Sequence, residues 1–560
     1  MQNNHKTLYI FLILIFSCKH NERNTNTSTK YYNGMVVCAH PEASKIGLEV
    51  LKKGGNAIDA SIAIQYALAV CYPIAGNLGG GGFMVYRSSK GEFNTLDFRE
   101  MAPIQAHRDM YLDSSGNPEE WKSLYGTLAA GVPGTVNGLF TAHERYGKLS
   151  MKELIEPSIK LAEKGFKITN QQAYNLNKAS SNFKKYNKEA IYLLKAEGWK
   201  EGDILIQNDL ANTLKDIRHL GLLGFYGGKN AEKIIETMQS GEGIISKKDL
   251  LNYSSIWRKP IIGKYKDITF ASMPLPSSGG ILLKQLFKMS EQLDFSKIKY
   301  QSSEYIHWLS EMERRVYSDR AEFLGDSDFI KVPLEKLCSD SYIIDRFQTI
   351  NSAIASNSLD INHGKIKHES EETTHLSVVD SEGNAVSVTT TINGAYGSKT
   401  FVKNRGFLLN NEMNDFSIKA GHPNLYGLVG SKANEIASKK RMLSSMTPTI
   451  LEKDGKLYMV LGSPGGSTII TSVFQTILNV VEYNMGMQEA VNQSRFHHQW
   501  KPDVIFMEKD KFSCKLSLKS IGHKTRDRSP IGRVDAILVL TDGSYEGGAD
   551  PRGDDSKMGY

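Results

Sequence analysis

The residues best placed to do chemistry stand at the head of a strand. Thr373-Thr374-His375-Leu376-Ser377-Val378-Val379-Asp380 follows a polar, weakly hydrophobic run from Asn351 to Glu372. Leu376 and Val378 alternate with His375 and Ser377, the chain turns over Asp380–Asn384, and Ala385–Thr389 returns with the same period. A β-hairpin follows from that alternation. If the chain were cut before Thr373, this residue would carry a hydroxyl and a free α-amine, a nucleophile with its own base. The alternative is an uncut, ordinary strand, in which threonine is common.

Other chemistry-bearing residues are scattered. Asp97-Phe98-Arg99-Glu100 ends a second strand, where a guanidinium can emerge at a sheet edge and pair bidentately with a carboxylate. The alternative is a solvated surface arginine. Glu412 and Asp415 set two carboxylates three residues apart beside a strand-like run, Leu408–Asn411. Gly462-Ser463-Pro464-Gly465-Gly466-Ser467 joins a strand to a helix, and backbone amides at such a turn point free donors outward. That arrangement suits an oxyanion hole, with a tight packing turn as the alternative. His497-His498 has no partner spacing and reads as structural.

The elements that must position these groups are legible around them. Ala43, Ile46, Gly47, Val50 and Leu51 give a helix over 42–53, and Ala57–Val70 gives a second, apolar all round and therefore buried. Gly79–Gly82 precedes strands at Phe83–Arg87 and Asn94–Arg99. With no Gly-Lys-Ser/Thr after it, the glycine run reads as close backbone packing rather than a phosphate cradle. Val136 to Tyr253 reads mostly helical, and a helix at Ile281–Leu293 follows the turn Pro274–Gly280. Tyr305–Phe323 is a further amphipathic helix, whose Glu311, Glu313, Arg314, Arg315, Asp319 and Arg320 read as a salt-bridged solvated face. The irregular stretch His422–Lys439, with Tyr426 in it, is long enough for a lid. A hairpin turned at Asp454-Gly455 leads into the oxyanion candidate.

At 560 residues the chain is too long for one small core. Its net charge of +7 is small for that length and no basic run has interleaved aromatics, so nucleic acid is not an expected partner. The five cysteines show no metal-like spacing. Beyond Cys18 they read as buried small hydrophobes, with one or two disulfides as the alternative. The apolar run Leu8–Phe16 is too short to span a membrane and ends at Ser17-Cys18. It looks like a bacterial lipoprotein signal over 1–17 with a polar spacer over 18–34. An ordinary secretory signal is the alternative. The expected location is periplasmic or at the cell surface, with a membrane anchor on lipidated Cys18.

The motifs together resemble the γ-glutamyltranspeptidase family. Thr373-Thr374-His375, Asn410–Phe416, Ser444-Ser445-Met446-Thr447-Pro448 and Gly462–Gly466 occur in this order, and upstream Gly54–Ala60, Asn77–Met84, Asp97–Glu100 with Ala102-Pro103, and Gly131–Gly134 join them. The resemblance covers Met35 to Tyr560. It implies an α+β fold, the N-terminal nucleophile hydrolase αββα four-layer sandwich. It also implies self-cleavage between Glu372 and Thr373 into a large subunit, 35–372, and a small catalytic subunit, 373–560, which stay together as a heterodimer. By the same resemblance Thr373 is the nucleophile, Thr391 bonds its hydroxyl, and Gly465 and Gly466 hold the oxyanion. Arg99, Ser444 and Ser445 bind the donor's α-carboxylate, while Asn393, Glu412 and Asp415 bind its α-ammonium. Glutathione is the implied donor and an amino acid or dipeptide the acceptor, with no cofactor and no metal.

Two details vary within that family: Glu412 stands where many bacterial members carry Gln, and the stretch with Tyr426 resembles a lid that some members lack. The rival on the same scaffold is a glutaryl or cephalosporin acylase, whose substrates carry no α-amine. The sequence does not name the base for self-cleavage.

Overall fold

The computed structural model describes residues 30–189, 191–361, 373–425 and 427–560. Cys18 and the leader, Glu372, and Tyr426 lie outside the described residues.

β1 (Met35–Cys38) opens the fold and leads into α1 (Pro41–Lys52) and α2 (Ala57–Cys71). The His40 ring accepts from the Glu42 N–H at 3.3 Å and Pro41 stands at the first turn, so α1 starts where its orphan donors are met. Asn56 and Asp59 form a reciprocal capping box at the head of α2, every residue of which is buried. β2 (Gly81–Arg87) and β3 (Phe93–Phe98) make a hairpin. After the helical stretch come β4 (Ile256–Arg258), β5 (Ile261–Tyr265), β6 (Ile268–Ser272), α3 (Gly279–Ser290) and α4 (Ser303–Phe323). The second part of the chain adds β7 (Thr374–Val379), β8 (Ala385–Thr391), β9 (Thr449–Lys453), β10 (Lys456–Gly462), α5 (Thr468–Val481), β11 (Asp535–Val539), β12 (Tyr545–Gly548) and β13 (Ser556–Gly559).

These strands form two antiparallel sheets, ordered β13-β1-β7-β8-β2-β3-β4 and β12-β11-β10-β9-β6-β5. Each sheet mixes strands from both sides of residue 372: β7 pairs with β1, β8 with β2, and β9 with β6. A chain severed between 372 and 373 would still be held together by these ladders and the cores around them.

Strand periodicity sorts the core into layers. Leu376, Val378, Val386 and Val388 face the layer of α1 and α2. Leu451, Met459 and Leu461 face α3, α4 and α5. Met35, Val37, Val85, Val379, Ile450 and Val460 fill the space between the sheets. The result is the αββα arrangement. Toward the Thr373 end of β7 the sheets also meet through polar groups: Ser377 Oγ donates to the Asp535 carbonyl at 3.0 Å and Ser387 Oγ to that of Leu461 at 2.9 Å. The His375 ring sits against Gly462, where an added Cβ would fall 2.3 Å from it, and burial pushes its pKa down to about 3, leaving it neutral.

The glycine run behaves as close packing requires. A Cβ on Gly80 would lie 2.0 Å from the Thr391 carbonyl oxygen, so the backbone beside the end of β8 admits no side chain. Cys38, Cys71, Cys338 and Cys514 are free thiols, the first two buried and the others half-buried.

The largest departure from the sequence reading is α4. Its charge run is buried, not solvated. Glu311 pairs with Arg314 at 3.3 Å and Arg315 at 2.7 Å, and Glu313 accepts from the His498 N–H at 2.8 Å. Asp319 accepts from Tyr342 at 2.9 Å and Gln285 at 3.1 Å. Because these charges are satisfied by one another and by distant segments, the helix can lie inside the second helical layer.

Candidate active site

Thr373 sits at the head of β7, 4% exposed, beside the end of β8, where Thr390 pairs with Thr374. The next residue of β8 is Thr391. Its hydroxyl accepts from the Asn393 N–H at 2.7 Å. Asn393 has a positive φ of 67° and is pinned by a 2.9 Å bond from its Nδ2 to the Asn411 carbonyl. The two strand ends and the loop after β8 therefore fix the nucleophile candidate from below.

Arg99 emerges just past the end of β3, buried, as its place in the sequence suggested. Its guanidinium is forked between Glu412 at 2.7 Å and Asp415 at 2.5 Å, with Glu100 at 3.4 Å. Burial works against the arginine's charge, but Glu412, Glu100 and Asp415 outweigh it and raise its pKa. Burial raises all three carboxyls, opposed by Arg99: Glu100 to about 8, Glu412 well above the usual range, and Asp415 upward. One guanidinium serves three carboxyls, so the cluster holds protons that isolated carboxylates would release.

The opposite wall is the Ser444–Ser445 edge. The Ser444 N–H donates to the Pro276 carbonyl at 2.8 Å, and its hydroxyl accepts from the Met446 N–H at 3.1 Å. The third wall is the turn from β10 into α5. Gly465 has φ 130° and Gly466 φ 54°, values that favour glycine, and this backbone places the turn at the positive end of α5. The turn is braced from behind: Thr468 donates to the Gly465 carbonyl, Tyr317 to that of Ser467, and Ser467 to Gln499. His497 also bonds Gln499, at 2.9 Å, which gives that histidine a structural place.

Arg99, Thr373, Thr391, Asn393, Glu412, Asp415, Ser444, Ser445 and Gly466 all line one pocket of about 290 Å³. Gly465 is in the same turn but not in the lining. The sequence reading missed Arg320, Leu428, Met446 and Ile469, which complete the wall. A signal for Arg320 was present: Tyr305, Leu309, Met312 and Val316 recur at spacings of four, three and four along one apolar stripe of α4, and Arg320, four residues further on, continues that stripe instead of falling on the opposite face.

A threonine at the head of a central strand, faced by a glycine turn and set in an αββα sandwich, defines an N-terminal nucleophile hydrolase. The crystal structure of a cephalosporin acylase from Bacillus halodurans shares this fold, with a TM-score of 0.83 at 23% identity over 98% of this chain and 99% of that one. Finer similarity lies elsewhere. The gamma-glutamyltranspeptidase family model matches residues 43–560, and this chain belongs to that family. It is 44% identical over 532 residues to the glutathione hydrolase proenzyme of Escherichia coli (strain K12), covering 94% of this chain and 92% of that protein. The Helicobacter pylori gamma-glutamyltranspeptidase structure is 45% identical over 58% of this chain and 93% of its own, with a TM-score of 0.57.

The raised pKa of Glu412 has a measurable consequence. Its native form prefers the proton, so its contribution to stability is fully present below the unfolded value near 4.5 and is lost as pH rises toward the folded one. Glu412→Gln keeps the shape without that proton. The variant's melting temperature relative to wild type should therefore climb as pH is raised from 5 to 8 in scanning calorimetry. A constant difference would contradict the assignment.

Proposed function

We propose that the protein takes the γ-glutamyl group from glutathione or a related γ-glutamyl compound and passes it to water or to an amino acid or peptide. The observation that carries the reading is the pocket itself. It joins a guanidinium, two carboxyls and two serines, the complement of an α-amino-acid head, to a threonine at a strand end.

In this reading maturation comes first. Thr373 Oγ attacks the Glu372 carbonyl, the acyl group shifts from nitrogen to oxygen, and water hydrolyses the ester to leave two chains held by the mixed sheets. The freed α-amine then serves as base, with a pKa of about 7.7–8.0 suited to proton transfer near neutrality. In turnover it accepts the Thr373 hydroxyl proton as Oγ attacks the γ-carbonyl of the donor. The Gly465 and Gly466 amides bind the oxyanion, and the amine returns its proton to the departing nitrogen. Thr391 orients the Thr373 hydroxyl. The donor's α-carboxylate lies at Arg99, Ser444 and Ser445, and its ammonium at Asn393, Glu412 and Asp415, which fixes the γ-carbonyl over Thr373. Water or an acceptor amine resolves the acyl-enzyme. The sequence of residues 1–34 extends the reading to export and anchoring through a lipidated Cys18, which membrane fractionation of Cys18→Ala checks.

The rival acylase reading shares the scaffold but has no use for two carboxyls where a glutaryl group carries only methylenes. Rates on γ-glutamyl and glutaryl anilides separate them. The γ-glutamyl anilide should be preferred by about 100-fold or more, since a site built to pair a charged group penalises its absence. A preference for the glutaryl anilide would overturn the reading.

A further inference from the structure

Arg320 is the charged residue of the pocket wall to which neither the fold nor the roles above give a purpose. It is 5% exposed and lines the same pocket as Arg99 and Thr373. Its Nε donates to Ser278 Oγ at 3.0 Å. That hydroxyl in turn donates to the Ser444 carbonyl at 2.8 Å, so Arg320 is tied to the serine wall. The Nε bond uses one of five guanidinium donors. No described carboxylate lies within 4.0 Å of Arg320, although Asp415 is near enough to favour its charge, whereas Arg99 is forked directly between Glu412 and Asp415. Burial lowers the Arg320 pKa to about 10, which still leaves it charged at neutral pH. A buried, charged guanidinium that lines a pocket without an ion pair favours an anion there, because an unpaired buried charge is expensive.

We propose that Arg320 is the second guanidinium of the donor site, joining Arg99, Ser444 and Ser445 in holding the donor's α-carboxylate and reaching it from the Ser444–Ser445 side. This rests on the γ-glutamyl reading and sharpens it. The pocket then sets two cations on the incoming carboxylate: Arg99, which also holds the acidic wall, and Arg320, which is tied to the serine wall. It also explains why a charged residue of α4 reaches the pocket at all, through a helix whose other charges are satisfied by one another and by distant segments.

The test compares two donors, γ-glutamyl anilide and 4-aminobutyryl anilide, which differ only in the α-carboxylate. Wild type, Arg320→Gln and Arg320→Lys are assayed on both, after a denaturing gel shows each variant matured. In Arg320→Gln the preference for the γ-glutamyl donor should shrink about 30- to 100-fold, mostly through KM, the size expected when a charged hydrogen-bond partner is removed. Arg320→Lys should recover part of it. If Arg320→Gln slows both donors equally and the preference stands, the residue only props Ser278 and the proposal is overturned. Should Arg320→Gln fail to mature, inhibition by L-glutamate decides: an inhibition constant raised about tenfold in Arg320→Lys supports the proposal, and an unchanged one overturns it. A wild type that cleaves neither donor would take down the γ-glutamyl reading and this proposal with it. A wild type that discriminates, beside an Arg320→Gln that discriminates as well, removes the proposal alone.

Discussion

Thr373→Ala should run as one uncut chain on a denaturing gel and should lack γ-glutamyl turnover. Both losses have one cause. The hydroxyl that would attack the preceding carbonyl during maturation is the hydroxyl that would attack the donor afterwards. The residue stands at the head of β7 with the Gly466 turn in the same pocket, and the other strand-end hydroxyl there, Thr391 at the end of β8, is engaged by the Asn393 N–H. Deleting a covalent nucleophile lowers turnover by on the order of 10⁴-fold or more, and a chain that is not cut would also lack the amine proposed as base. Thr373→Ser keeps the hydroxyl and should be cut and active at a reduced rate. A Thr373→Ala protein that matures and turns over donor would place the nucleophile elsewhere.

Replacing Arg99 should be the most damaging change away from the nucleophile. In the folded protein it stands between Glu412, Asp415 and Glu100, all buried. Arg99→Ala leaves three carboxyls without their cation. Removing one partner of a buried pair costs about 3–5 kcal/mol, and the remaining carboxyls relieve it only by taking up protons. The denaturation midpoint should fall accordingly. kcat/KM should drop about 1,000-fold, because the acidic wall proposed to bind the donor's ammonium loses its shape and one guanidinium of the pocket is gone. Arg99→Lys restores a charge but not the two-pronged geometry, so it should recover stability better than activity. An Arg99→Ala variant with wild-type stability would show that the acidic cluster does not depend on it.

Much of this site was legible from the chain alone, and the reasons differ by residue. The hairpin around Asp380–Asn384 announces itself by a period of two, and its register puts Thr373 at a strand head. The Gly465-Gly466 turn is legible because strand, glycine pair and helix follow one another locally. Arg99 was legible as a carboxylate clamp, but the carboxylates it meets in the structure are Glu412 and Asp415, the latter 316 positions away. Nothing in local spacing encodes that pairing.

The burial of α4 was not legible for the same reason. Glu313 is satisfied by His498, 185 positions later, and Asp319 by Tyr342 and Gln285. A charge looks solvated until its distant partner is known. Arg320 was lost with that helix. Glu372, Tyr426 and Cys18 lie outside the described residues, so their assignments rest on sequence.

The central claim is that Thr373 becomes the first residue of a separate chain. Intact mass and N-terminal sequencing of purified, active wild-type protein test it most directly. The account predicts two fragments, with the smaller beginning Thr373-Thr374-His375 and ending at Tyr560. Full activity in a single uncut chain, or in fragments cut at any other bond, would contradict it.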